Sequence, residues 1–249
     1  MKLLALLSAA LCTAACAQDP RRSGYDDMRP ETQAMQRDDL QNPGMLWVQE
    51  GAALWATAPA NGQPACSGCH TAAAMQGVAA RHPAFDAVLQ RPVNLAQRIN
   101  LCRERRQKST PLAHESDALL ALESYVAHQS RGLPIAPPDD ARLKPHRERG
   151  RAMYHQRLGQ LDLSCAQCHD QRAGLRLAGN LIPQGHATGY PLYRLEWQTL
   201  GSLQRRLRNC LTGVRAEAPP PGDLALVELE LYLAERARGL AIETPAVRP

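Results

Sequence analysis

The chain has 249 residues, enough for two small units that each bury a core of their own. Its formal net charge of +5 is almost wholly arginine, since lysine occurs only at positions 2, 108 and 144. The arginines are scattered among acidic residues rather than gathered into a stripe, which excludes an electrostatic footprint for nucleic acid.

Met1 and Lys2 open onto the apolar run LLALLSAALCTAA, closed by the small-residue site Ala15-Cys16-Ala17 ahead of polar Gln18-Asp19-Pro20. This is the layout of an export signal cleaved after Ala17, so residues 1–17 are expected to be removed. The run is too short to span a bilayer, and Arg, Glu or Asp interrupts each later candidate, so no membrane span is expected. Lipidation at Cys16 is disfavoured, because Thr13 stands where such a signal carries Leu. Removal of the leader takes Cys12 and Cys16 with it and leaves Cys66, Cys69, Cys102, Cys165, Cys168 and Cys210. Residues 18–43 are polar and aperiodic and are expected to lie across the surface.

From there the chain repeats itself. Gly51-Ala-Ala-Leu-Trp55 precedes Cys66-Ser-Gly-Cys69-His70, and Gly150-Arg-Ala-Met-Tyr154 precedes Cys165-Ala-Gln-Cys168-His169 at the same offset of 99. Leu95 to Cys102 is answered by Leu203 to Cys210, and each half closes on an amphipathic helical pattern that runs into Arg-Gly-Leu, at 131–133 and at 238–240. The Pro- and Asp-rich stretch from Pro134 to Pro145 reads as a linker. The expectation is a mainly α chain of two tandem cytochrome c-like domains related by internal duplication, residues 44–140 and 141–249.

Six cysteines in an exported chain would ordinarily mean disulfides. Four of these six stand in two CxxCH motifs, which changes the reading. Two thiols flanking two residues can add to the vinyl groups of a haem, and the adjacent His then reaches the iron. Two covalently bound haem c groups are therefore expected, with His70 and His169 as proximal ligands. Such large apolar groups would also relieve the thin aromatic content, which includes a single Phe.

The opposite axial position is not met by methionine in the second half, because no Met follows His169. His186 and Cys210 remain there, while His82, His114, His128 and Cys102 compete in the first half. Only the two cysteines occupy matching places, each four residues beyond a matching Arg. His/Cys ligation at both haems is favoured over a buried apolar role for these cysteines or a Cys102–Cys210 disulfide.

The halves differ in Gly185-His186-Ala-Thr-Gly189-Tyr190-Pro191-Leu-Tyr193-Arg194, which the first lacks, and in Arg236, where the first has Gln129 or His128. Arg206 one helical turn before Cys210, with Arg236 on a neighbouring helix, would make an oxyanion-binding pocket. The alternative is that these arginines are salt-bridged to Glu228, Glu230 or Glu235.

With these residues in view, the sequence closely resembles the SoxA family, the subunit of SoxAX cytochromes that acts in periplasmic thiosulfate oxidation. The resemblance covers about residues 40–249. It rests on both CxxCH motifs, NLxxRxNxC at 94–102, GHxxGYPxYR at 185–194, LQRRLRNC at 203–210 and the tail LELYLAxRARGLxIETPAVRP. It implies a periplasmic L-cysteine S-thiosulfotransferase of the dihaem type. His70 and Cys102 would bind the first iron, and His169 and Cys210 the second. Cys210 would be the catalytic cysteine, carrying an extra sulfur as a persulfide, with Arg236 and Arg206 as active-site arginines. The implied reaction joins thiosulfate oxidatively to a cysteine of a SoxYZ-like carrier. Electrons would go to a SoxX-like monohaem cytochrome c held as a heterodimer, then to a soluble cytochrome c. The residues by themselves also admit a dihaem electron carrier or a thiosulfate dehydrogenase that forms tetrathionate.

Overall fold

A computed structural model describes residues 19–249, so the expected export signal, with Cys12 and Cys16, lies outside the described residues. Helix α1 (Pro30–Arg37) is followed by α2 (Met45–Ala56), the first CxxCH turn, the hairpin β1 (Ala84–Asp86) and β2 (Arg91–Val93), α3 (Leu95–Arg105) and α4 (Asp117–His128). The second half runs α5 (Lys144–His155), α6 (Cys165–His169), β3 (Arg176–Leu177), β4 (Asn180–Leu181), β5 (Leu192–Arg194), β6 (Thr199–Gly201), α7 (Leu203–Gly213), α8 (Leu224–Arg236) and β7 (Ala246–Arg248). Side chains fix the helix starts. Asn94 and Gln97 close a capping box on α3, and Ser164 and Gln167 close one on α6; Ser116, Ser202 and Asp223 cap α4, α7 and α8.

Each half is organised by one helix crossing, α2 on α4 and α5 on α8. The contact is made by backbone at a glycine. A Cβ on Gly51 would meet the Ala121 carbonyl carbon at 2.7 Å, and one on Gly150 would meet that of Glu228 at 2.6 Å. An aromatic pair lies beside each crossing at equivalent positions, Trp55 with Tyr125 at 5.6 Å and Tyr154 with Tyr232 at 5.4 Å between ring centres.

The halves meet across a pseudo-twofold axis. The extended segment after α4 forms an antiparallel bridge with the segment after α8, Pro134 opposite Ala241. Gly132 donates to the Ile242 carbonyl at 2.8 Å and Ile135 to that of Leu240 at 2.9 Å; Gly239 and Ile242 return bonds to Ile135 and Leu133. Ala80, Ile135, Ala237 and Ile242 form a core shared by both halves, with α4 packed on β6 and α8 on β2. Much of the stretch expected to be a linker is thus interface, and from Ala141 the chain already turns toward α5.

The N-terminal segment differs from the aperiodic surface cover expected. Pro30 starts a helix, with Glu31 in its first turn and Arg37 in its last, both favourable to the helix dipole. Its anchors are polar, which is why no apolar period marks it. Gln36 accepts from the Val247 amide at 3.0 Å, and Asn42 donates to the Pro245 carbonyl at 2.8 Å. The C-terminal strand β7 joins β5 in parallel, giving the sheet order β6-β5-β7. Among the described residues no helix is long and apolar enough to cross a membrane.

Candidate functional site

The capping box at Ser164 sets the short helix that presents Cys165, Cys168 and His169. The carbonyl of Pro183 accepts from His169 Nδ1 at 2.8 Å, which places the proton on Nδ1 and leaves Nε2 as the free lone pair. Burial pushes the His169 pKa down, with the charges of Arg206 and Arg236 acting the same way, so the ring is held neutral. Behind it runs the backbone of Gly185, where a Cβ would come within 2.9 Å of the ring. The offset between the repeats grows from 99 at CxxCH to 108 at the β-hairpins, so this support is built from residues the first half lacks.

Asp170 ties the site to the crossing. It accepts from the Tyr154 hydroxyl at 2.9 Å and from Arg236 Nη2 at 2.7 Å. Arg236 also donates to the Gln184 carbonyl at 3.1 Å and lies 4.4 Å over the Tyr154 ring. Its charge is therefore partly engaged on the His169 side.

Cys210 stands near the end of α7. Burial pushes the Cys165 thiol up to about 11, and the charge of Cys210 is the next contributor. Cys66 is likewise raised by burial, and Cys102 is near enough to add to the shift. All six cysteines among the described residues are free. The first-half site is the more open one, with His70, Cys69 and Cys102 all exposed and Trp55 6.1 Å from the His70 ring. Of the competing histidines, His82 and His114 line a cavity between the halves. His186 directly follows Gly185, whose backbone adjoins Cγ and Nδ1 of His169, away from Nε2. A pair of thiols in CxxCH and a neutral imidazole with Nε2 bare form a donor set that fits haem c.

Each of the three candidate acids has other partners. Glu228 is bound by Arg149 and His146, Glu230 by Asn94 and Gln204, and Glu235 by Arg238 and Arg147. Arg206 makes no side-chain hydrogen bond or ion pair among the described residues. Sequence reasoning missed Asp170 and Pro183. Asp170 follows CxxCH directly, which was an available signal, whereas Pro183 acts through its carbonyl and leaves none.

The cavity between the halves, about 150 Å³, is separate from this chemistry. Glu123 and Glu230, equivalent positions in the two repeats, both line it.

The family model described as SoxA/TsdA, cytochrome c domain, matches residues 50–135 and 149–242. The chain is 37% identical to the L-cysteine S-thiosulfotransferase subunit SoxA of Pseudaminobacter salicylatoxidans, over 92% of this chain and 82% of that protein. It is 34% identical to the same subunit of Rhodovulum sulfidophilum, over 92% and 81%. The crystal structure of SoxXA from P. pantotrophus matches with a TM-score of 0.88 at 32% identity, covering 92% of this chain and 87% of that one.

Proposed function

Because this chain belongs to the SoxA family of c-type cytochromes, we propose that it is an L-cysteine S-thiosulfotransferase whose reaction centres on Cys210. The observation that carries the assignment of the centre is the meeting of three features. The charge of Cys210 acts on Cys165 of the second CxxCH, Cys210 follows Arg206 by one helical turn, and Arg206 has no acidic partner among the described residues.

Haem c is the cofactor of the family, and when bound it would supply a one-electron carrier for the reaction. Two groups would be held covalently, through Cys66 and Cys69 and through Cys165 and Cys168. His70 and Cys102 would hold the first iron, His169 and Cys210 the second. The Pro183 carbonyl fixes the tautomer and direction of His169.

Arg206 binds the sulfonate oxygens of thiosulfate, and Arg236 assists by exchanging Asp170 for the substrate. The outer sulfur of thiosulfate then bonds to the persulfide sulfur on Cys210, and two electrons leave. A cysteine thiolate of the carrier attacks the sulfur that bears the sulfonate. That displacement leaves a thiosulfonate on the carrier and returns the Cys210 persulfide, while the proton of the carrier thiol goes to solvent. The electrons pass to a monohaem cytochrome bound as a heterodimer, then to a soluble cytochrome c, and the compartment is the periplasm. The likeness to a solved SoxXA supports such a partner.

The test is mass spectrometry of a cysteine-bearing carrier after incubation with thiosulfate, an oxidised cytochrome and the haem-loaded chain with its partner. Addition of one thiosulfate to the carrier cysteine is expected, with loss on Cys210→Ala. Tetrathionate formation without carrier modification would overturn the reading.

A further inference from the structure

The duplication supplies an internal comparison for the surroundings of Cys210. Hairpins β1–β2 and β5–β6 pair in the same register, Asp86 opposite Arg91 and Arg194 opposite Thr199. Each leads through a capping residue into the helix that carries Arg98 and Cys102, or Arg206 and Cys210. At a constant offset of 108, Asp86 corresponds to Arg194, Arg98 to Arg206, and Arg105 to Gly213.

In the first half these three residues form a closed ionic lock. The Asp86 carboxylate, 3% exposed, takes Arg98 at 2.8 Å and Arg105 at 2.9 and 3.1 Å, and it is held far below the usual carboxylate range. The cation one turn before Cys102 is thereby neutralised.

In the second half the acid is replaced by a base. Arg194 is 13% exposed, its Nε is buried without a partner, and its one acid is Glu196 at 3.1 Å, itself 66% exposed. The matched hairpin and helix set Arg194 and Arg206 at the two positions that Asp86 and Arg98 join at 2.8 Å in the first half, and burial lowers the Arg194 pKa with the charge of Arg206 acting the same way. Tyr190 also feels Arg206, Cys210 and Arg194 together. The third member of the lock is gone, and a Cβ on Gly213 would meet nothing within 4 Å. Two neighbouring cations without a buried counter-ion repel one another. An oxyanion between them turns that repulsion into paired charge-assisted hydrogen bonds.

We propose that Arg194 and Arg206 together form the subsite for the sulfonate of thiosulfate, and that Asp86 closes the corresponding subsite beside Cys102. The acid-to-base exchange at this hairpin position is then what confines oxyanion binding to the second half. The proposal deepens the functional reading above and rests on it for the identity of the anion.

The test compares wild type, Arg194→Gln, Arg194→Lys and Asp86→Asn as haem-loaded protein with the partner cytochrome. Thiosulfate binding is measured by calorimetry with no carrier present, and turnover is measured separately. For Arg194→Gln, a roughly tenfold or greater loss of thiosulfate affinity is expected, the scale of a hydrogen bond to a charged group. The same rise is expected in KM, with kcat and haem content little changed. Arg194→Lys should recover part of the affinity, which a structural role for the guanidinium would not allow. Asp86→Asn should add a second, weaker binding event. Unchanged affinity in Arg194→Gln, or a fall in kcat alone, would overturn the subsite even if the carrier is modified normally. Loss of binding in Arg194→Gln would uphold it even if no carrier is modified, a result that counts against the functional reading only.

Discussion

Replacing Glu123 with Gln tests how the cavity between the halves is held. Glu230 keeps amide donors from Asn94 at 3.0 Å and Gln204 at 2.5 Å, whereas Glu123 has no hydrogen-bond partner among the described residues. Burial pushes Glu123 up to about 8, with the charges of Glu230 and Glu115 adding to it, and burial pushes Glu230 up to about 7. The two carboxyls titrate as a pair, the proton staying with Glu123 as pH rises. An unfolded chain releases the same proton near pH ~4.3. Between those limits the folded state binds a proton that the unfolded state has lost, so stability falls as pH rises through the window. At about 1.4 kcal/mol per pH unit the full shift corresponds to some 4–5 kcal/mol, an upper bound. The effective dielectric of a protein interior, well above that of a dry apolar medium, brings the expectation to about 2–3 kcal/mol. The assay is denaturant unfolding of the haem-loaded chain from about pH 5 to 9. His82 and His186, pushed down to about 4 chiefly by burial, impose an opposite slope below about pH 6.5 in both proteins. His114, Arg205 and Arg208, which also face the cavity, are common to both as well. The readout is therefore the difference between the proteins, which should move in favour of Glu123→Gln as pH climbs. Parallel stability curves across the range would refute the reasoning.

Gly150→Ala forces a Cβ into the Glu228 backbone, so α5 and α8 must separate. A loss of about 1–3 kcal/mol or more is expected in thermal unfolding, together with poorer haem incorporation at the second site. Gly185→Ala presses on the back of the His169 ring and should shift the spectrum and potential of the second haem while the first is unchanged. Cys210→Ala should retain both covalent haems in the intact mass, because attachment uses the other four CxxCH cysteines, and lose thiosulfate transfer. The peptide carrying Cys210 in the wild type should bear one extra sulfur that a thiol reductant removes.

The helices and the duplication were legible because their signals are local. The repeated Gly at 51 and 150, the CxxCH pair and the closing amphipathic patterns each occupy a few consecutive residues. The strands were not, since a three-residue hairpin such as Ala84–Asp86 with Arg91–Val93 is too short to show alternation. The lock at Asp86 and its inversion at Arg194 were hidden for another reason. Asp86 and Arg194 share the offset of 108 that matches Leu95–Cys102 with Leu203–Cys210, but nothing in the sequence shows that the acid closes on Arg98 and Arg105. The place of Asp170 directly after CxxCH was a signal for the residue, but its pairing with Arg236 was not legible, because the two meet across 66 residues of chain.

The strand pairing at Pro134 and Ala241 is isologous: each half offers the same edge and receives the same edge in return. In this pairing the fused chain resembles a homodimer whose subunits have been joined end to end. In a true homodimer every substitution appears twice, so an acid that closes one site would close both. Joining the copies removes that constraint. One copy can keep the buried acid at its hairpin while the other exchanges it for a base, and the shared interface accommodates both without change.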